Sequence, residues 1–395
     1  MRRRERRLGS RTAVALAVVA AATTGLTAEA PTLAGASGDA SRPALRKPVH
    51  DPARKHRRVR AADVLPLAMG IYPGGGAGTV GPAGALRPED PALRLAALRT
   101  LRGGARPFVL HLYDSYVRAA DADAVPAELA AQIAEYTAEG FDVELVLTYR
   151  PERPGGDVGG FVRFVRARVR QLGPNPGLSH LQVTNEVNVR NAPGAADGAY
   201  RGARRALVSG VIAAHDEAAR AGLARRLRVG FNWAYQRGRA ETAFFAGLGV
   251  RGGRRFARAV DWVGLDAYPG TWGPALAPGD PAAAVRAATF AALRTLRRDL
   301  LPLARLGRAD LHVSESGYPT GPGRSEAMQE TVLRAIVRAV ADARERYGVT
   351  DFRWFDLRDA HSASASFESR YGLMRDDYAP KPAFEAYRQL IASLS

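Results

Sequence analysis

The chain has no cysteine in its 395 residues. That absence removes disulfides, zinc–thiolate sites and thiol nucleophiles together, so a folded domain here must be held by an apolar core. With 46% hydrophobic residues, a core of the needed size is available. Lysine is scarce too: after Lys55 only Lys381 follows, and the positive charge is arginine. No recognition motif runs through those arginines, and no nucleic-acid partner is expected. The seven histidines show no His-Glu-x-x-His or other tight ligand spacing, so no metal site is expected. There is no Gly-x-Ser-x-Gly elbow, which weighs against a serine hydrolase. The stretch Tyr72-Pro-Gly-Gly-Gly-Ala-Gly78 has neither Gly-x-Gly-x-x-Gly spacing nor a following Gly-Lys-Ser/Thr, and reads as a flexible loop rather than a phosphate cradle. No cofactor is expected.

The N-terminus has a pattern of its own. Arg2, Arg3, Arg4, Arg6, Arg7 and Arg11 lead into the apolar run Ala13–Ala22, and small residues follow through Ala34-Gly-Ala36. A basic lead, an apolar run too short to span a bilayer and a small-x-small ending mark a secretory signal peptide. Residues 1–36 are therefore expected to be that peptide, with Ala28-Glu-Ala30 as a second candidate for cleavage, and the protein to be secreted, extracellular and soluble. Residues 37–62 are rich in Ser, Pro, Ala and Arg without apolar periodicity, and read as a disordered basic linker. Residues 1–62 carry 14 basic and 4 acidic side chains, a net +10 of the formal +18, so the remainder is only mildly basic. The linker is suited to weak contact with anionic cell wall or membrane.

From residue 63 onward, apolar strand-like runs alternate eight times with helical stretches. Strands are expected over residues 65–72, 108–113, 143–148, 180–184, 227–233, 260–267, 311–314 and 352–357. Leu93–Leu101 and Phe161–Val169 are the clearest helices, apolar at a period near 3.6 with arginines on the opposite face. Strict alternation implies a parallel sheet covered by helices. Eight units in 333 residues favour a single closed (β/α)8 TIM barrel, an α/β fold spanning 63–395, over an open doubly wound sheet.

Two strands end in glutamate. Leu181-Gln-Val-Thr-Asn-Glu-Val-Asn188 closes on Asn185-Glu186, and Leu311-His-Val-Ser-Glu-Ser316 closes on Glu315 before Gly317 and Pro319. Glu315 lies 129 positions after Glu186, about three units of roughly 40 residues, which makes them the ends of the fourth and seventh strands. Barrel active sites lie at such C-terminal ends. Either glutamate alone is accounted for by a helix cap or an arginine partner. The pair points to glycoside hydrolysis, which needs two carboxyl groups with different proton affinities. Glu186, beside the neutral amide of Asn185, suits the acid/base; Glu315, in reach of a hydroxyl such as that of Tyr268, suits the nucleophile. The other strand ends offer Tyr72, Asp114, Asn232, Trp233 and Trp354. Rings flanked by amides and carboxylates fit a carbohydrate, although amphipathic rings also cap barrel ends without binding anything.

Asn185-Glu186, Val313-Ser-Glu-Ser-Gly317, Asp266-Ala-Tyr268-Pro-Gly270, Trp354 on the eighth strand and the closing run from Tyr371 to Phe384 together resemble clan A of the glycoside hydrolases. The resemblance covers roughly residues 63–392 and is carried by the clan rather than by any one family. It implies that Glu186 is the acid/base, Asn185 holds the sugar 2-hydroxyl, Glu315 is the nucleophile and Tyr268 contacts that nucleophile. Where the clan commonly has Pro after its acid/base, this chain has Val187.

His111 and His312 lie inside strands and read as barrel packing. His312 is three positions before Glu315, so strict alternation puts it on the opposite face. Asp356, Asp359 and His361 form either a salt-bridge cluster or pocket lining. The expected protein is a monomeric secreted retaining β-glycoside hydrolase acting on a poly- or oligosaccharide. A transglycosylase using the same glutamates, a carbohydrate-binding barrel without turnover and an adhesin working through the linker stand as alternatives.

Overall fold

Eight parallel strands close on themselves: β1 (Ala68–Ile71), β2 (Phe108–Tyr116), β3 (Asp142–Tyr149), β4 (Leu178–Val183), β5 (Arg228–Ala234), β6 (Trp262–Asp266), β7 (Asp310–Ser316) and β8 (Val349–Trp354). Met69 of β1 lies opposite Phe108 on one side and Phe352 on the other, which is the closure. Between and after them run α1 (Pro91–Arg102), α2 (Ala127–Ala138), α3 (Val158–Leu172), α4 (Ala203–Arg220), α5 (Arg239–Ala259), α6 (Pro281–Arg294), α7 (Glu326–Tyr347) and α8 (Pro382–Leu394). The computed structural model describes residues 66–75, 87–272 and 279–394. The expected signal peptide (1–36), the linker (37–62) and the last glycines of the loop after Tyr72 lie outside the described residues.

The helices begin where the sequence supplies acceptors for free N–H groups. Asp90 accepts from Ala92 and Leu93 at the head of α1, Asp280 from Ala282 and Ala283 at α6, Asp157 from Gly160 at α3 and Ser325 from Met328 at α7. Proline follows the cap at Pro91 and Pro281, where its missing N–H is not needed. Each helix lays an apolar stripe on the outer face of the sheet: Phe161, Phe164, Val165 and Val169 of α3 pack with Val143, Leu145 and Leu147 of β3 in one continuous core. One arginine departs from the expected outer face of α3. Arg168 is buried and donates to Asp114 of β2 at 2.5 Å, where it neutralises a carboxylate on the outward side of the strand.

Residues on the other face of the strands point into the barrel, and there the filling is charged. Glu144 of β3 bonds His111 Nδ1 of β2 at 2.8 Å and Arg353 Nη2 of β8 at 3.2 Å, while His312 Nδ1 of β7 stands 3.7 Å away. Arg353 also donates to Asp351 Oδ1 at 2.7 Å and to the carbonyl of Ala68 at 2.9 Å. His312 Nε2 lies 3.1 Å from Asp351 Oδ2, and its ring stacks on Trp262 with centroids 4.2 Å apart. Burial pushes Glu144 up, but the Arg353 charge and the His111 bond outweigh it and hold the carboxyl well below the usual range.

Two features depart from regular alternation. On β7, Gly264↔His312 and Asp266↔Glu315 are successive partners of β6, so two residues of β6 span three of β7. That bulge turns His312, Ser314 and Glu315 all inward, which corrects the expectation that His312 faces away from Glu315. Gly264 makes room for it: a Cβ there would come 2.1 Å from Ser314 Oγ. β8 starts three residues earlier than expected and ends at Trp354.

Removing Arg353 leaves Glu144 and Asp351 buried without their shared cation. Arg353→Met is expected to lower the unfolding free energy by about 3–5 kcal/mol, read from urea denaturation at pH 7. A loss below about 1 kcal/mol, the scale of an exposed pair, would show that the two carboxylates do not depend on it.

Candidate active site

Glu186 arrives on a strained turn. Past the end of β4, Thr184 has φ +69° and Glu186 φ +46°, left-handed values that cost about 1–3 kcal/mol each for such residues. Side chains hold the turn in place. Asp197 Oδ2 accepts the N–H of Asn185 at 2.8 Å and that of Tyr149 at 2.7 Å, and Asn232 Oδ1 accepts the N–H of Glu186 at 2.8 Å. The amide of Asn232 is fully committed, since its Nδ2 donates both to Asn185 Oδ1 at 2.7 Å and to Asp266 Oδ2. Asn185 in turn donates to the carbonyl of Ala195 at 3.0 Å. Both amides expected at the sugar therefore brace the backbone under Glu186 in this arrangement.

Glu315 comes from the bulged end of β7. Tyr268 Oη donates to its Oε2 at 2.8 Å, as the sequence suggested, and Tyr113 Oη donates to its Oε1. One carboxylate oxygen from each of Glu186, Asp266 and Glu315 lies within 4.8 Å of the other two. Their surroundings differ. Among the described residues no hydrogen bond reaches the Glu186 carboxyl. Burial, then the charges of Glu315 and Asp197, push it well above the ordinary glutamate range, with Arg150 opposing weakly. Asp266 is also pushed well up, by burial and then by Glu315 and Glu186, while Ser314 Oγ bonds its Oδ1 at 2.6 Å. The trio thus holds two carboxyl groups biased to the neutral acid beside one that receives two hydroxyl donors.

A collar of rings adjoins Glu315 through Tyr113 and Tyr268. Tyr72 stacks on Phe355 with centroids 5.3 Å apart and meets Tyr113 edge-on at 5.7 Å; Tyr268 and Tyr371 meet at 5.7 Å, and Trp272 and Phe367 at 5.2 Å. Tyr72 and Tyr268 are where the sequence placed them.

Three other expected residues face away. Asp114 points outward to Arg168. Trp233 points outward and donates from Nε1 to Glu241 of α5 at 2.6 Å. Trp354 packs on Tyr387 of α8, 6.4 Å between centroids. Their inward neighbours, one position away in the chain, are Tyr113, Asn232 and Phe355, so the error is one step of a two-residue period. Applying alternation from Glu144 or Arg353 outward would have separated them. Asp359, left open by the sequence, forms a buried pair with Lys381 at 2.7 Å.

Asp197 and Phe355 were missed, and no motif announces either. Two side-chain sets have the proximity that a metal ion asks for, Glu186/Asp266/Glu315 and His180/His312/Asp351. Both read as hydrogen-bonded networks instead: the first is engaged by Ser314, Asn232, Tyr113 and Tyr268, and the second shares Asp351 with the Arg353 guanidinium.

Solved structures share this fold. A family 39 glycoside hydrolase from the gut symbiont Bacteroides cellulosilyticus WH2 has a TM-score of 0.51 at 14% identity, over 83% of this chain and 64% of that one. A GH5_18 from Bifidobacterium longum subsp. infantis has 0.54 at 12% identity, over 84% and 80%. A beta-glucuronidase from an uncultured Clostridium sp. has 0.50 at 13% identity, over 83% and 50%. The chain therefore spans less than two thirds of the first of these and half of the last. At such identities the eightfold barrel is what they have in common. No protein-family model matches the chain, and no curated protein does.

Burial raises Asp197 to about 7, with Arg150 and the two backbone bonds opposing. An unfolded aspartate titrates near pH 4. The native chain therefore keeps a proton there that the unfolded chain releases, so this group's contribution to stability is full below pH about 4 and is lost as pH rises through about 7. Asp197→Asn keeps an acceptor for the two N–H groups without the charge, and its Tm should gain on that of the wild type as pH is raised from 4 to 8. A Tm difference that stays flat across that range would contradict the assignment.

Proposed function

We propose that this protein is a glycoside hydrolase. More particularly, it is a retaining β-glycosidase in which Glu315 attacks the anomeric carbon and Glu186 serves as acid and then as base. The observation that carries this reading is the short separation of two carboxyl groups in unequal surroundings. Retaining pairs stand about 5–5.5 Å apart, whereas inverting pairs open to about 6.5–9.5 Å to admit a water. The contact between Glu186 and Glu315, within 4.8 Å oxygen to oxygen, supports the closer class.

In the first step Glu315 forms a bond to C1 of the sugar, the glycosidic C–O bond breaks, and the departing oxygen takes its proton from Glu186. The raised proton affinity of Glu186 favours the protonated form that this step needs. In the second step Glu186, now a carboxylate, takes a proton from water. The water oxygen bonds C1, and the ester bond to Glu315 breaks to return its carboxylate. Two displacements at one carbon restore the original configuration. Asp266, biased to the neutral acid, limits the negative charge in the trio and ties the Glu315 side of the site to Asn232. The collar of Tyr72, Phe355, Tyr268 and Tyr371 supplies apolar faces for the C–H side of a sugar ring. The resemblance to clan A supports the β linkage, and the N-terminal pattern supports action outside the cell.

Glu315→Gln is expected to cut sugar release from β-glycans and aryl β-glycosides by roughly 10⁴-fold or more, the scale on which nucleophiles act. Glu186→Gln should slow natural glycans severely and activated aryl glycosides much less, because a good leaving group needs no proton. Equal silence of wild type and Glu315→Gln on such a panel, with glycan binding intact, would make the barrel a binding module.

A further inference from the structure

We infer that His111 is a positioning residue for Glu315. It carries a proton on each ring nitrogen and, through Tyr113, fixes the direction of the hydrogen bond that the Glu315 carboxylate receives. The inference rests on the proposed role of Glu315 and deepens it.

Donors and acceptors alternate along a buried row that starts below the site and ends at the nucleophile. Glu144 Oε1 lies 2.8 Å from His111 Nδ1, His111 Nε2 lies 2.9 Å from Tyr113 Oη, and Tyr113 Oη touches Glu315 Oε1. Glu144, faced by Arg353, is an anion and can only accept, so Nδ1 carries a proton. The phenol has one hydrogen and two neighbours. If Nε2 were bare, Nε2 and Glu315 would compete for that hydrogen, and the loser would press lone pair against lone pair in a region where His111 and Glu144 are fully buried. With a second proton on Nε2 every contact becomes donor to acceptor: Nδ1–H to Glu144, Nε2–H to Tyr113 Oη, and Oη–H to Glu315.

The charges agree with that count. The His111 ring sits between two carboxylates, 2.8 Å from Glu144 and 3.9 Å from Glu315 Oε1. Beyond Glu144 stand Arg353 and His312, and beyond them Asp351. Arg353 is the one guanidinium in this set and already serves Glu144 and Asp351, so it leaves the Glu315 charge to be matched by the imidazolium. The arrangement also has a kinetic direction. A cation and a donor aimed at Glu315 stabilise it as a departing carboxylate, which favours the second displacement, when the ester to the sugar breaks.

The test uses the full chain with 15N-labelled histidine, comparing wild type, Glu315→Gln and Tyr113→Phe, with His111→Gln to assign the signal. At pH 7 the wild type should show both ring nitrogens of His111 protonated. In Glu315→Gln, with the charge to be matched removed, Nε2 should give up its proton and its signal should move to that of a bare ring nitrogen. A singly protonated His111 ring in the wild type, or an Nε2 signal unchanged in Glu315→Gln, overturns the inference, and neither result depends on turnover.

The kinetic arm follows kcat and KM for His111→Gln. On an aryl glycoside with a good leaving group, kcat and KM should fall together as the covalent intermediate accumulates. A histidine that merely packs would lower Tm and leave kcat and KM in place, and that outcome refutes the positioning role. Wild type without turnover on any sugar would sink the glycosidase reading while the labelled-histidine result still decides the state of His111. If His111→Gln fails to fold, the wild type and Glu315→Gln spectra decide alone.

Discussion

A carboxylate enclosed by a barrel has to be answered from the neighbouring strands, and Glu144 is the one on which the interior converges. It draws His111 from β2 and Arg353 from β8, with His312 of β7 close by, and Arg353 passes the tie on to β1 through the carbonyl of Ala68. Such a cluster contributes little net stability compared with an apolar filling of the same shape, but it is intolerant of losing any one member. Its effect is to specify. The hydrogen bonds fix which residues of β2, β3, β7 and β8 share a level, and that register sets the height at which Tyr113 and Glu315 emerge above it.

The two halves of the site are held in different ways. Glu186 is held through its backbone, by Asp197 and Asn232, on a turn that its residue types do not favour. Its carboxyl receives no protein hydrogen bond among the described residues and is biased to the neutral acid, because burial and neighbouring charge make ionisation costly. Glu315 is held through its carboxyl, by two tyrosine hydroxyls. Two residues of one type are thus given opposite chemical characters by where their bonds are placed. Asn232 joins the halves, reaching the Glu186 backbone and Asp266 with a single amide.

Much of the barrel was legible in the sequence because alternation of strand and helix is a long-range signal, repeated eight times. Glu186 and Glu315 were legible for the same reason, since each ends a strand and their separation matches the repeat. What was lost was the orientation within strands. Asp114, Trp233 and Trp354 were drawn into the site although each is one residue away from the inward position, and Phe355 was overlooked beside Trp354. Composition at a strand end does not reveal which side chain turns inward. The bulge on β7 defeats alternation outright, because an extra residue changes the face of everything beyond it. Asp197 was illegible for another cause: it acts on backbone N–H groups, and such a role leaves no pattern of residue types.

The left-handed turn at Thr184 and Glu186 decides where this protein can be made sturdier. Glycine would relax either position, yet at 186 it would delete the acid and at 184 the relief would be offset by a freer unfolded chain. Strain there is a fixed expense of having the site, and improvement has to come from elsewhere. The outer helical layer is the place, with Leu93, Val250 and Leu303 standing 48%, 88% and 39% exposed. Polar helix formers at those points would touch neither the turn nor the interior charges, so solubility and heat tolerance can change on the outside of this barrel while its centre stays as it is.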